Sequence, residues 1–207
     1  MPKVVDADSR RVVAEAVFRV VRAHGLEQAS LRTVAEEAGL AIGSVRHYFT
    51  DHDELLVFAL EELARRVERR VLDRVGQIHA AGTSAGRRAG VADLLGELVP
   101  LDPDRRDESV VRLEFSRAAR TRPAPAPGAR RLHDGTRLIA RRVLERIGVP
   151  DVAVEAERLA ALLDGLAVHA VLQPDLTTPD VIRAVLSRHL DALPVNEVGK
   201  APGSTQD

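Results

Sequence analysis

Two short amphipathic segments between residues 30 and 49 constrain the fold of this chain more than any other feature. Ser30 is a suitable helix N-cap for the segment LRTVAEEA, whose apolar residues fall at helical spacing. Gly39 ends this segment, and a second short segment, IGSVRHYF, follows the turn GLA. Two short helices joined by three or four residues that include a glycine are typical of a helix-turn-helix. The pattern therefore predicts this motif near the N-terminus.

The remaining sequence also predicts helices. Apolar residues recur at helical spacing in residues 10–24, in a long segment from Glu54 to Ala80, and in several later segments. Thr178 is the expected N-cap of the last helix, with Pro179 at its first position. The stretches GTSAGRRAG and TRPAPAPGA are predicted to be connectors. About nine helices and no strand pattern predict an all-α fold, and an aromatic content of 2% agrees with a core of Leu, Val and Ala.

The positions of turn residues divide the chain into two helical parts and a tail. Residues 1–52 are predicted to form a three-helix helix-turn-helix domain, and residues 53–193 a helical domain. Asp51 and Glu54 resemble a capping box at the start of the second part. Residues 194–207 are polar and rich in small residues, so we expect a disordered tail.

Composition excludes several classes of protein. The 207 residues include no cysteine, which excludes disulfides and thiolate chemistry, and we expect neither a cofactor nor a metal site. No segment reaches the roughly 18 uninterrupted apolar residues of a membrane span, and no signal pattern opens the chain. We therefore expect a cytoplasmic protein that does not associate with membranes.

No motif favours an enzyme. His47 and His52 are five residues apart, so the paired histidines of an HExxH zinc site are missing. The glycine-rich GTSAGRRAG lacks the lysine and hydroxyl residue that end a phosphate-binding loop, and no Gly-x-Ser-x-Gly elbow occurs.

The string VAEEAGLAIGSVRHYFTDHDELL resembles the signature of the tetracycline-repressor (TetR) family. The positions that fit this signature are Ala35, Gly39, Gly43, Ser44, Tyr48, Phe49 and Leu55. The resemblance covers about a quarter of the chain. It implies a DNA-binding transcriptional regulator, usually a repressor, that binds a palindromic operator as a homodimer. It further implies that a small-molecule effector, unidentified here, releases the protein from DNA.

The resemblance also implies which residues face DNA. The N-terminal turn of the second short helix would enter the major groove, where base edges are distinguishable. Gly43 permits close approach to DNA or is simply a helix-start glycine. Phe49 is expected in the core. The positions that the resemblance assigns to the DNA face are Arg32, Thr33, Ile42, Gly43, Ser44, Arg46, His47, Tyr48 and His52.

Two of these positions depart from the family pattern. Arg46 stands where tyrosine is usual, and it would either bond a guanine bidentately or contact only phosphate. His52 stands where lysine is usual, and histidine is mostly neutral above its ordinary pKa of about 6.5. His52 therefore predicts weaker or pH-dependent contact with the DNA backbone.

In such a family the C-terminal helices form both the dimer and the effector pocket. Candidate dimer residues are Leu162, Gly165, His169, Val181 and Val185, although a purely internal core is the alternative. Candidate ligand contacts are Arg112, Phe115, His133 and His169, each of which is alternatively a surface or core residue. The segment DGLAVHAVLQP resembles the branch that contains the betaine-synthesis repressor. A ligand would favour a dimer whose recognition helices no longer match major grooves about 34 Å apart.

The main alternative is a helical ligand-binding or protein-interaction dimer whose DNA-binding head is inactive. The departures at Arg46 and His52 are its support. Specific duplex binding with a steep salt dependence would separate the two, because each neutralised phosphate contributes about −0.9 to the slope.

Overall fold

The fold is all-helical, as predicted. A computed structural model describes the backbone of residues 3–80 and 84–194, and the side chains of residues 9–78 and 90–194. Nine α-helices and one turn of 3-10 helix (Leu26–Gln28) make up the regular structure of these residues. The helices are α1 Lys3–His24, α2 Leu31–Ala38, α3 Ile42–Tyr48, α4 His52–Ala80, α5 Ser84–Gly96, α6 Pro103–Ala118, α7 Ala126–Ile147, α8 Val152–Leu172 and α9 Pro179–Asp191.

Local hydrogen bonds set the ends of the two short helices. Ser30 caps α2, because its side chain accepts a bond from the backbone N–H of Thr33 at 3.1 Å. Gly39 ends α2 with a φ of 67°, a left-handed conformation that glycine adopts without strain. Ala41 precedes α3 and has no side-chain oxygen to cap it. The predicted bounds of α2 are confirmed.

One hydrophobic core joins α1, α2 and α3 to the first half of α4 and to α6. Phe49 is 1% exposed there, which confirms its predicted core position. Phe115 of α6 is fully buried in the same cluster. The N-terminal unit is therefore packed directly onto α6 of the second part of the chain.

A second core lies among the far half of α4 and helices α5, α7, α8 and α9. It is built from aliphatic residues such as Leu95, Leu144, Leu159 and Ile182. The 29 residues of α4 take part in both cores and span about 44 Å at 1.5 Å per residue. A displacement of α4 would therefore disturb both cores.

Three predicted boundaries differ from the structure. Helix α1 begins at Lys3, whereas the prediction was residue 10. The predicted connector GTSAGRRAG is helical from Ser84 onward, so glycine content was a poor guide there. The predicted Pro/Ala loop is helical from Ala126, because Pro127 lies in the first turn, where its missing N–H costs no helical hydrogen bond.

Two further expectations concern the tail and membranes. Residues 195–207 of the predicted tail lie outside the described residues. Among the helices that the structure describes, none is both long enough and apolar enough to cross a bilayer.

Candidate nucleic-acid interface and ligand cavity

Helix α3 presents one polar face and one buried face. Val45 of α3 and Phe49, which follows the helix, are buried in the first core, whereas other residues of α3 are exposed. Ile42 at the first turn is 38% exposed. An exposed apolar residue there suits contact with a thymine methyl group. The predicted DNA-facing residues of α3 that are exposed are Ile42, Gly43, Ser44, Arg46 and His47.

Arg10 of α1 holds the end of α3 in a group of aromatic rings. Its guanidinium carbon lies 5.7 Å from the ring centroid of Tyr48 and 5.8 Å from those of Phe49 and Phe58. The Phe49 and Phe58 rings are themselves 5.2 Å apart. Sequence reasoning did not find Arg10. The concentration of aromatic residues between positions 48 and 58 could have indicated such a residue, because cations stack on aromatic rings.

Helix α2 supplies Arg32 and Thr33 beside this face. Arg32 pairs with Glu36 at 3.0 Å, and the two side chains are 85% and 66% exposed. Such exposed pairs contribute little to stability, so Arg32 can exchange Glu36 for a phosphate at small cost. Thr33 is partly buried, and its hydroxyl bonds the Ser30 hydroxyl at 2.8 Å. Thr33 therefore supports the N-terminus of α2.

His52 lies at the junction of the two parts of the chain. Its side chain is half-buried, with Nδ1 3.4 Å from Nη2 of Arg122, which also pairs with Asp53. Burial and the charge of Arg122 lower the pKa of His52. A neutral imidazole has no charge to offer a phosphate, and this placement directs His52 toward the segment that follows α6.

A cavity of about 450 Å³ lies between α4, α6, α7 and the end of α5. Its lining in the described residues includes Arg112, but not Phe115, His133 or His169. Phe115 is buried in the first core, and His169 is exposed on α8. The structure thus brings one of the four predicted ligand residues to the cavity.

His133 does not line the cavity but lies next to Arg112, in a cluster that joins α6, α7 and α8. Its Nδ1 is 3.3 Å from an oxygen of Asp164, which also pairs with Arg112, and its Nε2 is 3.2 Å from the Ser116 hydroxyl. Burial raises the pKa of Asp164, but the His133 hydrogen bond and the Arg112 charge outweigh burial and hold that pKa below its usual value. The described residues contain no group of three or more His, Asp or Glu placed to hold a metal ion.

An ion-pair network extends from one wall of the cavity to α1. Arg70 of α4 binds both carboxylate oxygens of Glu108 at 2.7 Å, and Arg74 and Arg105 each bind Glu97 at 2.9 Å. Arg66 lies 3.7 Å from Glu108. We call these six residues the ion-pair network.

The network continues into the N-terminal unit. Arg66 also pairs with Glu15 of α1, and its guanidinium lies 5.1 Å from the Phe18 ring centroid. A second link joins Arg22 of α1 to Asp107 of α6. Sequence reasoning missed the network, although arginines at positions 66, 70 and 74 share one face of a helix. Their acidic partners are distant in sequence and gave no signal.

Comparison with known proteins agrees with this arrangement. Residues 14–57 match the family model of bacterial regulatory proteins of the tetR family. Residues 87–195 match the C-terminal model of the BetI-type transcriptional repressor. The chain belongs to the TetR family. It is a DNA-binding transcriptional regulator and not an enzyme, as the sequence predicted.

Individual relatives of this TetR regulator are similar to it over most of its length. The HTH-type transcriptional regulator PksA of Bacillus subtilis (strain 168) is 35% identical over 205 residues, 95% of this chain and 96% of PksA. A transcriptional regulator from Rhodococcus sp. Rha1 is 33% identical with a TM-score of 0.75, over 88% of this chain and 94% of that one. A regulator from Saccharomonospora viridis, solved in complex with choline, shares the fold at 22% identity and a TM-score of 0.70, over 92% and 100% of the two chains.

The predicted dimer residues of this regulator lie on α8 and α9 and differ in exposure, and Leu162 and Val185 pack against the second core. Val181 is 42% exposed and His169 is exposed, whereas Leu162, Gly165 and Val185 are half-buried. Leu172, the last residue of α8, and Leu176 after it are 66% and 70% exposed. The single chain therefore leaves a group of large apolar side chains in contact with water.

Proposed function

We propose that this regulator binds a palindromic operator as a homodimer and leaves it when a small molecule enters the cavity. One observation carries this proposal: four residues belong both to the cavity lining and to the ion-pair network. Arg70, Glu97, Arg105 and Glu108 line the cavity and also belong to the ion-pair network that reaches α1. Occupation of the cavity and placement of the DNA-binding unit therefore depend on the same contacts.

The exposed apolar side chains of Leu172, Leu176 and Val181, at the end of α8 and the start of α9, support the homodimer. Exposed apolar surface marks interaction sites in soluble proteins when it forms a patch. A symmetric dimer uses the same surface on both copies and presents two copies of α3. Two recognition helices contact DNA at half-sites about 34 Å apart, so a palindromic operator follows from the symmetry.

The direct reading of bases is assigned to the first turns of α3. Ser44 and Arg46 are exposed there, and Arg46 can bond the O6 and N7 atoms of guanine. Arg32 beside them is assigned to a phosphate. His52 is the least supported of the nine candidates, because Arg122 lies beside it and its pKa is lowered.

Release of DNA is assigned to a change in the contacts of α4 and α6. A ligand shifts an equilibrium only if it binds one conformation better than the other. A ligand that separates Arg70 from Glu108 also disturbs Arg66, which shares Glu108 and contacts Glu15 of α1. The fold relative solved with choline supports a small-molecule effector as a class.

The proposal is tested by selecting bound duplexes from a random DNA library and titrating the selected duplex at several salt concentrations. We expect a palindrome and a steep fall of affinity with salt. Arg46→Ala should weaken binding at particular bases, with a loss of about 1–3 kcal/mol per base contact. Arg142→Ala, which removes another exposed arginine and lies on α7, is the matched control.

The outcomes separate the roles. Failure to enrich any sequence with folded protein would overturn the DNA-binding assignment and favour an inactive DNA-binding head. Equal weakening on all duplexes by Arg46→Ala would keep the regulator and make Arg46 a phosphate contact. A single-chain mass in solution, measured by light scattering, would overturn the homodimer.

A further inference from the structure

The inner wall of the cavity is aliphatic. Leucine, valine and isoleucine side chains from α4, α7 and the end of α5 form most of the surface around its volume of about 450 Å³. That volume lies in the range of sites for drug-sized organic molecules. The more buried part of this lining includes Leu63, Val67, Val71, Leu98, Val99 and Ile139.

No phenylalanine or tyrosine ring lines this cavity, and all five of these rings lie within the described residues. Phe18, Phe49 and Phe115 are buried in the first core, and Tyr48 and Phe58 surround Arg10. A second copy in a dimer has the same five rings in the same places. Quaternary ammonium ions are recognised by aromatic rings, whose faces attract a desolvated cation. Neither this chain nor its copy supplies such a cage.

The charged groups at the inner end of the cavity already have partners. Glu108 binds Arg70 at 2.7 Å, Glu97 binds Arg105 at 2.9 Å, and Arg112 pairs with Asp164. A charged ligand would have to displace one of these ions or enter an aliphatic site unpaired, which is strongly unfavourable. The carboxylates of Glu68 and Asp134 lie at the exposed mouth, beside the exposed Arg131. Water screens them there.

The part of the lining that carries these ion pairs also offers hydrogen bonds to an uncharged ligand group. The Ser109 hydroxyl donates to the Arg105 carbonyl oxygen at 2.8 Å, so its own oxygen remains an acceptor. Nε of Arg70 is buried and makes no hydrogen bond within the described residues, although it lies 3.5 Å from an oxygen of Glu97. A ligand hydroxyl can donate to the Ser109 oxygen, and a hydroxyl or carbonyl oxygen can accept from Nε of Arg70. The shorter ion pairs that Glu97 and Glu108 make with arginines then stay in place.

We infer that the cavity binds an uncharged, mainly aliphatic molecule that carries a hydroxyl or carbonyl group, and that it does not take a quaternary ammonium ion. This inference rests on the proposed effector role of the cavity. It assigns this chain a different ligand chemistry from that of the choline-bound fold relative.

The test uses three probes with the same ten-carbon tail and different head groups. Isothermal titration calorimetry of the full chain is carried out with 1-decanol, decanoate and decyltrimethylammonium, and with choline alone. We expect 1-decanol to bind at least tenfold more tightly than either charged probe, and choline to give no heat at millimolar concentration. Between 1-hexanol and 1-decanol, affinity should rise about fourfold per methylene, the ratio expected for burial of one CH₂.

A substitution in the cavity lining tests whether 1-decanol binds there. Leu138→Trp adds a large ring to the lining from a side chain that is 55% exposed, so the fold should tolerate it. It should weaken 1-decanol binding at least fivefold. Val12→Trp makes the same change at an exposed position of α1, outside the cavity lining, and should leave the affinity for 1-decanol as it is.

Several results would overturn the inference. These are binding of either charged probe as tight as that of 1-decanol, binding of choline, failure of 1-decanol to bind, or binding that Leu138→Trp leaves unchanged. Release of the selected duplex is measured in parallel. Binding of the alcohols without release by any of them would contradict the proposed function alone, whereas release by the ammonium probe would contradict only the ligand class.

Discussion

The DNA-binding unit (α1 to α3) and the cavity region (α4 to α7) differ in how far apart in sequence their contacting residues lie. In the DNA-binding unit the contacts that set the helix ends are local: the Ser30 side chain accepts a bond from the N–H of Thr33, and Asp51 accepts one from the N–H of Glu54 at 2.8 Å. In the cavity region the ion pairs join residues far apart in sequence, such as Arg70 with Glu108. Local contacts fix a rigid reading surface, whereas distant contacts can be exchanged when a ligand arrives.

The two regions also differ in what fills them. All five aromatic residues belong to the first core or adjoin it, and three of them, Tyr48, Phe49 and Phe58, surround Arg10. The cavity region is aliphatic and leaves about 450 Å³ open. Dense aromatic packing favours one position for α3, and an open aliphatic wall favours adjustment to a ligand.

The largest effect should come from Phe49→Ala, which tests the rigidity of the DNA-binding unit. The ring is 1% exposed and contacts the Phe58 ring at 5.2 Å. We expect the free energy of unfolding to fall by about 3–5 kcal/mol, the usual cost of such a cavity. Chemical denaturation followed by circular dichroism measures this change.

Ile42→Ala is the control for Phe49→Ala, because Ile42 is an exposed apolar residue of the same helix. Its unfolding free energy should change by less than about 0.5 kcal/mol. A loss of under 1 kcal/mol for Phe49→Ala would contradict the view that α3 is held by aromatic packing.

The next effect tests whether distant contacts stabilise the cavity region. Glu108→Gln removes the charge of a carboxylate that is 10% exposed and bound by two nitrogens of Arg70. Because hydrogen bonds to charged groups contribute about 1.5–3 kcal/mol, we expect a loss of about 2 kcal/mol in the free energy of unfolding.

Glu157→Gln makes the same substitution in an exposed pair with Arg137 at 3.0 Å. It should cost less than about 1 kcal/mol, as is usual for surface pairs. Equal losses for the two variants would show that the ion-pair network contributes no more to stability than an ordinary surface pair.

This difference explains how much could be predicted from sequence. Helices, caps and the buried position of Phe49 followed from spacing and local hydrogen bonding. The placement of Phe115 and His133 could not follow, because whether a helix face meets a cavity or a core depends on the neighbouring helices. The network escaped prediction for the same reason, since 38 residues separate Arg70 from Glu108.

A smaller effect compares the same local contact in both regions. Ser30 and Thr178 each cap a helix by accepting a bond from the backbone N–H three residues on. Replacement of either by alanine should lower the free energy of unfolding by about 1 kcal/mol. Only Ser30→Ala should also weaken operator binding, because α2 adjoins the DNA face. A comparable loss of operator affinity in Thr178→Ala would break the distinction between the regions.

The smallest effect is a pH dependence with one histidine in each region. Burial and Arg122 lower the pKa of His52 despite Asp53, Glu27 and Asp51 nearby. Burial and Arg158 lower that of His189 despite Glu155. The unfolded chain then binds more protons than the folded one. This part of the stability is therefore complete above about pH 6.5 and is lost as the pH falls from there toward the folded pKa.

Substitution of each histidine measures how much its region contributes to the pH dependence of stability. His52→Asn and His189→Asn should each reduce the loss of unfolding free energy between pH 7.5 and pH 5.5, and the double variant should combine the two reductions, because the sites share no partner in the described residues. His52→Asn should also change the pH dependence of operator affinity over the same range. Protonation of His52 places a second cation beside Arg122 at the start of α4, the helix that joins the two cores. A His52→Asn variant with the wild-type pH dependence of both stability and operator affinity would show that this junction does not respond to pH.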